Sequence, residues 1–116
     1  MTVAERTIGD ITILDVEGRM TAENVERPLV AAVRRLLQEG RTNLLVNLER
    51  VRGIDTTGLT ELVEAYTTSQ RQRAHLKFEY VPRHVYELLR VTHLLQVLET
   101  FEVEAEAIAS FGAAVV

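Results

Sequence analysis

Hydrophobic and polar positions change period several times along this chain, and each change marks a predicted element. Thr2 to Thr7 alternates weakly and reads as an edge strand, with Gly9-Asp10 as a hairpin turn after it. Ile11-Thr12-Ile13-Leu14-Asp15-Val16 alternates well enough for a second strand, closed by Gly18. From Ala22 to Gln38 the apolar set Val25, Leu29, Val30, Val33, Leu36 and Leu37 recurs at helical spacing. Thr21 or Asn24 is the expected cap of that helix, and Gly40 takes the usual place just past its end. Pro28 is tolerated only in a first turn, so the helix proper is expected to start near Arg27.

Asn43 to Leu48 is apolar with little alternation, as a central strand covered on both faces should be. Helical spacing returns at Leu59, Leu62, Val63 and Tyr66 and runs to about Gln72. Ala74 to Tyr80 reads as a strand, with His75, Lys77 and Glu79 on one face and Leu76, Phe78 and Tyr80 on the other. Pro82 then opens a short helix with Val85, Leu88, Leu89 and Val91 as inward candidates. Leu95 to Phe101 is the expected last strand. Glu102 to Phe111 is the expected last helix, its inner face Ala105, Ile108 and Ala109, before a short apolar, strand-like end. Strands alternating with helices in this way predict an α/β fold, a single domain over residues 1–116. The sheet is expected to be mixed and mostly parallel, with an N-terminal antiparallel strand and about four helices. No internal repeat, linker or low-complexity segment interrupts it.

Composition narrows the function classes. The formal net charge of −4 and pI near 5.4 argue against a general nucleic-acid binder, which needs a basic face. Lys77 is the only lysine, so nearly all positive charge is arginine, a poor catalytic base. Without cysteine there is no disulfide framework and no thiolate metal site. No segment reaches the roughly 18 apolar residues that span a bilayer, so no direct membrane insertion is expected. Glu5, Arg6 and Asp10 make the N-terminus unlike a secretory signal, and the expected location is the cytoplasm.

The most informative stretch is Ile54-Asp55-Thr56-Thr57-Gly58-Leu59, which joins the central strand to the following helix. A helix start carries unpaired N–H donors and the positive end of the helix dipole. A hydroxyl presented there sits where a phosphate is locally well tolerated. The same residues also serve as ordinary N-cap chemistry, and composition does not separate the two readings. Arg50 and Arg52, just upstream, are either solvated loop charge or donors for a phosphate or an acidic partner. Glu61 and Glu64 are expected to flank an outward surface with Thr60, Thr67 and Thr68, which a solvated helix face also explains.

Other chemistries find little footing. His75, His84 and His93 have no paired acid at ligand spacing, so no metal is expected. No glycine-rich phosphate loop and no nucleophile elbow is present, and no cofactor is expected. Asp55-Thr56-Thr57-Gly58 is similar to the D-K-T-G of phosphorylated-aspartate pumps, but the lysine is replaced and no nucleotide domain fits in 116 residues. A receiver domain needs an acidic pair after its first strand, and Asp10 and Asp15 are not adjacent.

Taken in order, these segments resemble the STAS domain family, specifically its stand-alone bacterial anti-sigma-factor antagonists. Gly18 with the following helix, and Leu45-Val46-Asn47-Leu48-Glu49-Arg50-Val51 as central strand and subsequent loop, are similar to family segments. Ile54-Asp55-Thr56-Thr57-Gly58-Leu59 resembles the D-S-[ST]-G-L signature, and Val85, Leu88, Leu89, Leu94, Phe101 and Glu104-Ala105 match the closing pattern. The resemblance implies a phosphorylation site at Thr56, with Thr57 as the alternative. It implies an unphosphorylated form that binds an anti-sigma factor, itself a serine/threonine protein kinase, and thereby frees a sigma factor. Phosphorylation would break that complex and a PP2C-type phosphatase would restore it. The protein would be a substrate and a switch, not an enzyme. Its partner surface is expected to hold Asp55, Thr56, Thr57, Gly58, Arg50, Arg52 and Glu61.

The chain departs from the family pattern at several positions. Thr56 replaces the commoner serine, and Arg19 stands where an acid often follows the glycine. Arg71-Gln72-Arg73 replaces a glycine-rich turn, and His93 stands where a glycine often precedes leucine. Two other classes remain. One is a STAS scaffold or accessory subunit of a signalling or transporter assembly. The other is a nucleotide-binding module, suggested only by the helix start.

Overall fold

Strands and helices follow one another in the order the sequence predicts. A computed structural model describes residues 1–112. The elements are β1 (Thr2–Ile8), β2 (Ile11–Met20), α1 (Pro28–Gln38), β3 (Asn43–Ile54), α2 (Thr56–Arg71), β4 (His75–Glu79), α3 (Arg83–Val91), β5 (Thr100–Phe101) and α4 (Glu104–Gly112). They form an α/β domain around a five-stranded sheet of order β1-β2-β3-β4-β5. β1 pairs antiparallel with β2, and every later pair is parallel.

The period of two in β2 and β3 divides the core between the two faces of the sheet. Leu14, Val16, Met20, Leu44, Val46 and Leu48 point to the front, where Leu29 and Val33 of α1, Leu62 and Ala65 of α2, and Val85 and Leu89 of α3 cover them. Ile11, Ile13 and Leu45 point to the back and lie beneath Ala107 and Phe111 of α4. Three successive buried residues, Leu44, Leu45 and Val46, thus mark the strand covered on both sides.

Several boundaries differ from the expectation. β3 does not end at Leu48 but continues to Ile54, because β2 also runs on to Met20 and pairs with it through two register shifts. Glu49-Arg50-Val51 is therefore strand, not loop. Val25 is not on the core face of α1: it is 82% exposed in the preceding loop, since Pro28 occupies the first helical turn. Leu94–Gln96 is a 3-10 turn, which shortens the last strand to Thr100–Phe101. α4 starts at Glu104 and turns Ala107 and Phe111 inward, leaving Ala105 and Ala109 exposed. Val91 is exposed too. The strand-like end read at the C-terminus lies outside the described residues.

Candidate functional site

β3 delivers the hexapeptide to the rim of the sheet, and Asp55 fixes how α2 begins. Asp55 is the N-cap: its Oδ1 accepts from Gly58 N–H at 3.0 Å. Its Oδ2 accepts from Ala22 N–H at 3.0 Å, tying the helix start to the loop between β2 and α1. The backbone N–H of Asp55 donates to the Met20 carbonyl at 3.1 Å. These bonds hold the carboxyl below its ordinary pKa, the Gly58 N–H contributing most and Ala22 next.

Gly58 is buried because the helix passes directly over the end of β2. A Cβ on Gly58 would collide with the Met20 carbonyl oxygen, so only glycine permits this approach. Thr56 and Thr57, by contrast, are exposed at the first two helical positions. Their own N–H groups fall among the unpaired donors of a helix start. An exposed hydroxyl, a cluster of N–H donors and an adjacent fixed carboxylate therefore share one rim position. A group added to either hydroxyl would project into solvent rather than into the core.

The other expected residues are distributed differently. Glu61 does not face outward: it is 3% exposed, and its Oε2 accepts from Leu29 N–H at 2.8 Å and Val30 N–H at 3.1 Å. It caps α1, whose preceding residue Arg27 has φ 50 and makes no side-chain cap. Neither Thr21 nor Asn24 caps the helix; the Asn24 amide instead donates to the carbonyls of Arg19 and Thr21 and closes the loop on itself. Arg50 lines a polar cleft on the back of the sheet with Arg6, Asp15 and Asn47, on the face opposite α2. Arg52 is exposed on the same strand. The Arg19 guanidinium lies against Gly53, just before the hexapeptide.

A shallow groove adjoins the two threonines. Ala22, Asn24, Val25 and Arg27 form one wall, Thr57 and Thr60 the other, around a volume of about 350 Å³. Glu64 borders it, ion-paired with Arg27 at 2.6 Å and hydrogen-bonded by Arg34 at 2.9 Å. Sequence reading missed the loop's part in this surface. The available signal was Pro28, which places Val25 before the helix and so without a core to enter. Among the described residues no group of histidines, cysteines and acids could hold a metal ion, and His75, His84 and His93 are each exposed. Among them, too, no helix is long and apolar enough to cross a membrane.

The chain belongs to the STAS domain family, whose model matches residues 2–107. Its fold is similar to that of an anti-sigma factor antagonist from Mycobacterium paratuberculosis, with a TM-score of 0.82 at 14% identity over 94% of this chain and 92% of that one. The phosphorylated form of the Bacillus cell fate determinant SpoIIAA has a TM-score of 0.71 at 14% identity, covering 95% and 99%. A sulfate transporter family protein from Wolinella succinogenes has a TM-score of 0.77 at 20% identity, covering 91% and 88%. Comparison with curated protein sequences gives no match.

Proposed function

We propose that this chain is an anti-sigma-factor antagonist working as a phosphorylation-controlled partner switch, with Thr56 as the regulated hydroxyl. The observation that carries this reading is the exposed Thr56 at the first position of α2, directly after a carboxylate locked by two backbone bonds. The unphosphorylated rim, with the groove around Val25 and Thr60, is the docking surface for an anti-sigma factor that is also the kinase. A PP2C-type phosphatase returns the protein to the binding form. The chain itself performs no chemistry and acts in the cytoplasm. Gly58 and Asp55 set the surface, Thr57 is the alternative acceptor, and the exposed Arg52 is a donor at its edge. Glu61 supports the surface from within.

A phosphate adds about −1.5 to −2 charge to a surface that must lose water on docking. The free helix start accommodates that charge; the bound interface does not. Incubation with ATP and an anti-sigma-factor kinase should add one phosphate, located at Thr56 by fragmentation of the intact protein. Thr56→Ala should remain unmodified and bind constitutively. Phosphate turnover at neither Thr56 nor Thr57, together with unaltered binding by Thr56→Glu, would sink the proposal. A second reading, a scaffold or accessory subunit without a phospho-switch, draws support from the sulfate-transporter-family neighbour. That reading expects stable co-assembly and no phosphate exchange.

A further inference from the structure

Beneath the first turn of α4, on the back of the sheet, three carboxylates converge on one guanidinium. Arg6 of β1 bonds Asp15 of β2 at 2.7 Å and Glu104 of α4 at 2.5 Å, and its Nη2 stands 3.9 Å from Glu79 Oε2 on β4. Glu79 is the odd member. It lies level with Asn47 on β3 and Phe101 on β5, has no exposed surface, and receives no hydrogen bond on either oxygen among the described residues.

The neighbouring groups leave it uncompensated. Asn47 donates its amide to Asp15 at 2.8 Å. Lys77, two residues earlier on the same strand, is turned to Ser110 at 2.8 Å and Glu99 at 3.6 Å. β5 contributes Thr100 and Phe101, neither of them charged. Arg6, the one cation in reach among the described residues, is already bonded to two other acids. An ionised Glu79 would be a buried charge without donors, and protonation costs far less. Glu104, the acid next to it on Arg6, makes ionisation costlier still.

We propose that Glu79 is a proton-binding site that couples the docking of α4 to pH, the helix being held while the carboxyl is neutral and loosened as it ionises. What the opening uncovers is the apolar back face of Ile11, Ile13 and Leu45. Burial above all, and then Glu104, push the Glu79 pKa up to about 8. A glutamate freed by undocking titrates near about 4.3. Between those values the docked form holds the extra proton, so opening becomes easier as pH rises and levels off above the upper one.

Hydrogen exchange of the whole chain from about pH 5.5 to about 8.5, expressed as protection factors, reads this opening. α4 amides such as Ala107 and Ile108 should lose protection by up to about tenfold per pH unit until the carboxyl is ionised. They should also stay less protected throughout than Leu44 to Val46 of β3. Glu79→Gln should remove the slope. A flat profile in the wild type, the same slope in Glu79→Gln, or equal protection in α4 and β3 would overturn the proposal. NMR titration of the wild-type Glu79 carboxyl needs no variant: a midpoint near about 8 supports it, and one near about 4.3 defeats it.

Discussion

Thr56 and Gly58 are two residues apart and do opposite things: one presents a side chain to solvent, the other removes one so that the backbone can pack. Gly58→Ala should therefore harm the site without touching the hydroxyl. The added methyl meets the rigid Met20 carbonyl, so the helix start must shift. A loss of about 1–3 kcal/mol in urea denaturation is expected. Asp55 contributes differently, through an acceptor pair for Gly58 and Ala22. Its stabilisation is present above the unfolded carboxyl pKa of about 3.9 and is lost as pH falls through the lower folded value. The first of those bonds was legible as a cap, because it is local. The second was not, since it depends on where a loop 33 residues away comes to rest. Two departures from the family pattern also acquire a physical meaning. Arg73 has φ 58 and His93 has φ 61, the left-handed region where a glycine is expected. Arg73→Gly and His93→Gly should each raise stability by up to about 1 kcal/mol, the relief of strain slightly exceeding the entropy of glycine. A fall in thermal midpoint for both would show that the side chains matter more than the backbone there.

Among elements, the helices were easier to read than their ends. The apolar spacing of α1 located its buried face correctly at Leu29, Val30, Val33, Leu36 and Leu37. Its cap could not be read, because the acceptor comes from Glu61 on α2 rather than from a preceding serine, threonine or asparagine. Glu61 also explains why a charged residue in a helical pattern was assigned to the surface: alone in sequence, it has no visible donor. Glu61→Ala would leave the N–H groups of Leu29 and Val30 buried and unpaired, a loss of about 2–3 kcal/mol. Glu61→Gln keeps an acceptor and should lose no more than about 1 kcal/mol. Faster amide exchange in the first turn of α1 would accompany the alanine variant; equal stability of the two variants would refute the capping role. The length of β3 was hidden for a related reason. Beyond Leu48 its residues alternate with charges, and only pairing with an equally long β2 keeps them extended.

For the whole molecule, the order of elements followed from periodicity alone, whereas the separation of two polar regions on opposite faces did not. Placing α1, α2 and α3 on the front and α4 on the back puts the Thr56 rim on one side and the Arg6–Glu79–Glu104 cluster on the other. Arg50 went with the back face through strand parity and a register shift, details that no local pattern carries. The same separation decides what a charge at Thr56 can do. The side chain is exposed and stands at the positive end of α2, so Thr56→Glu should leave the thermal midpoint nearly unchanged. In a docked interface the added charge has no such shelter. An unpaired buried charge there costs on the order of 3–5 kcal/mol, which weakens binding by roughly two to nearly four powers of ten. Calorimetric titration against an anti-sigma factor, beside thermal denaturation of the same samples, separates the two effects. A variant that binds weakly because it has unfolded would point to a structural role for Thr56. A variant that stays folded and loses affinity by that factor is what a switch without refolding requires.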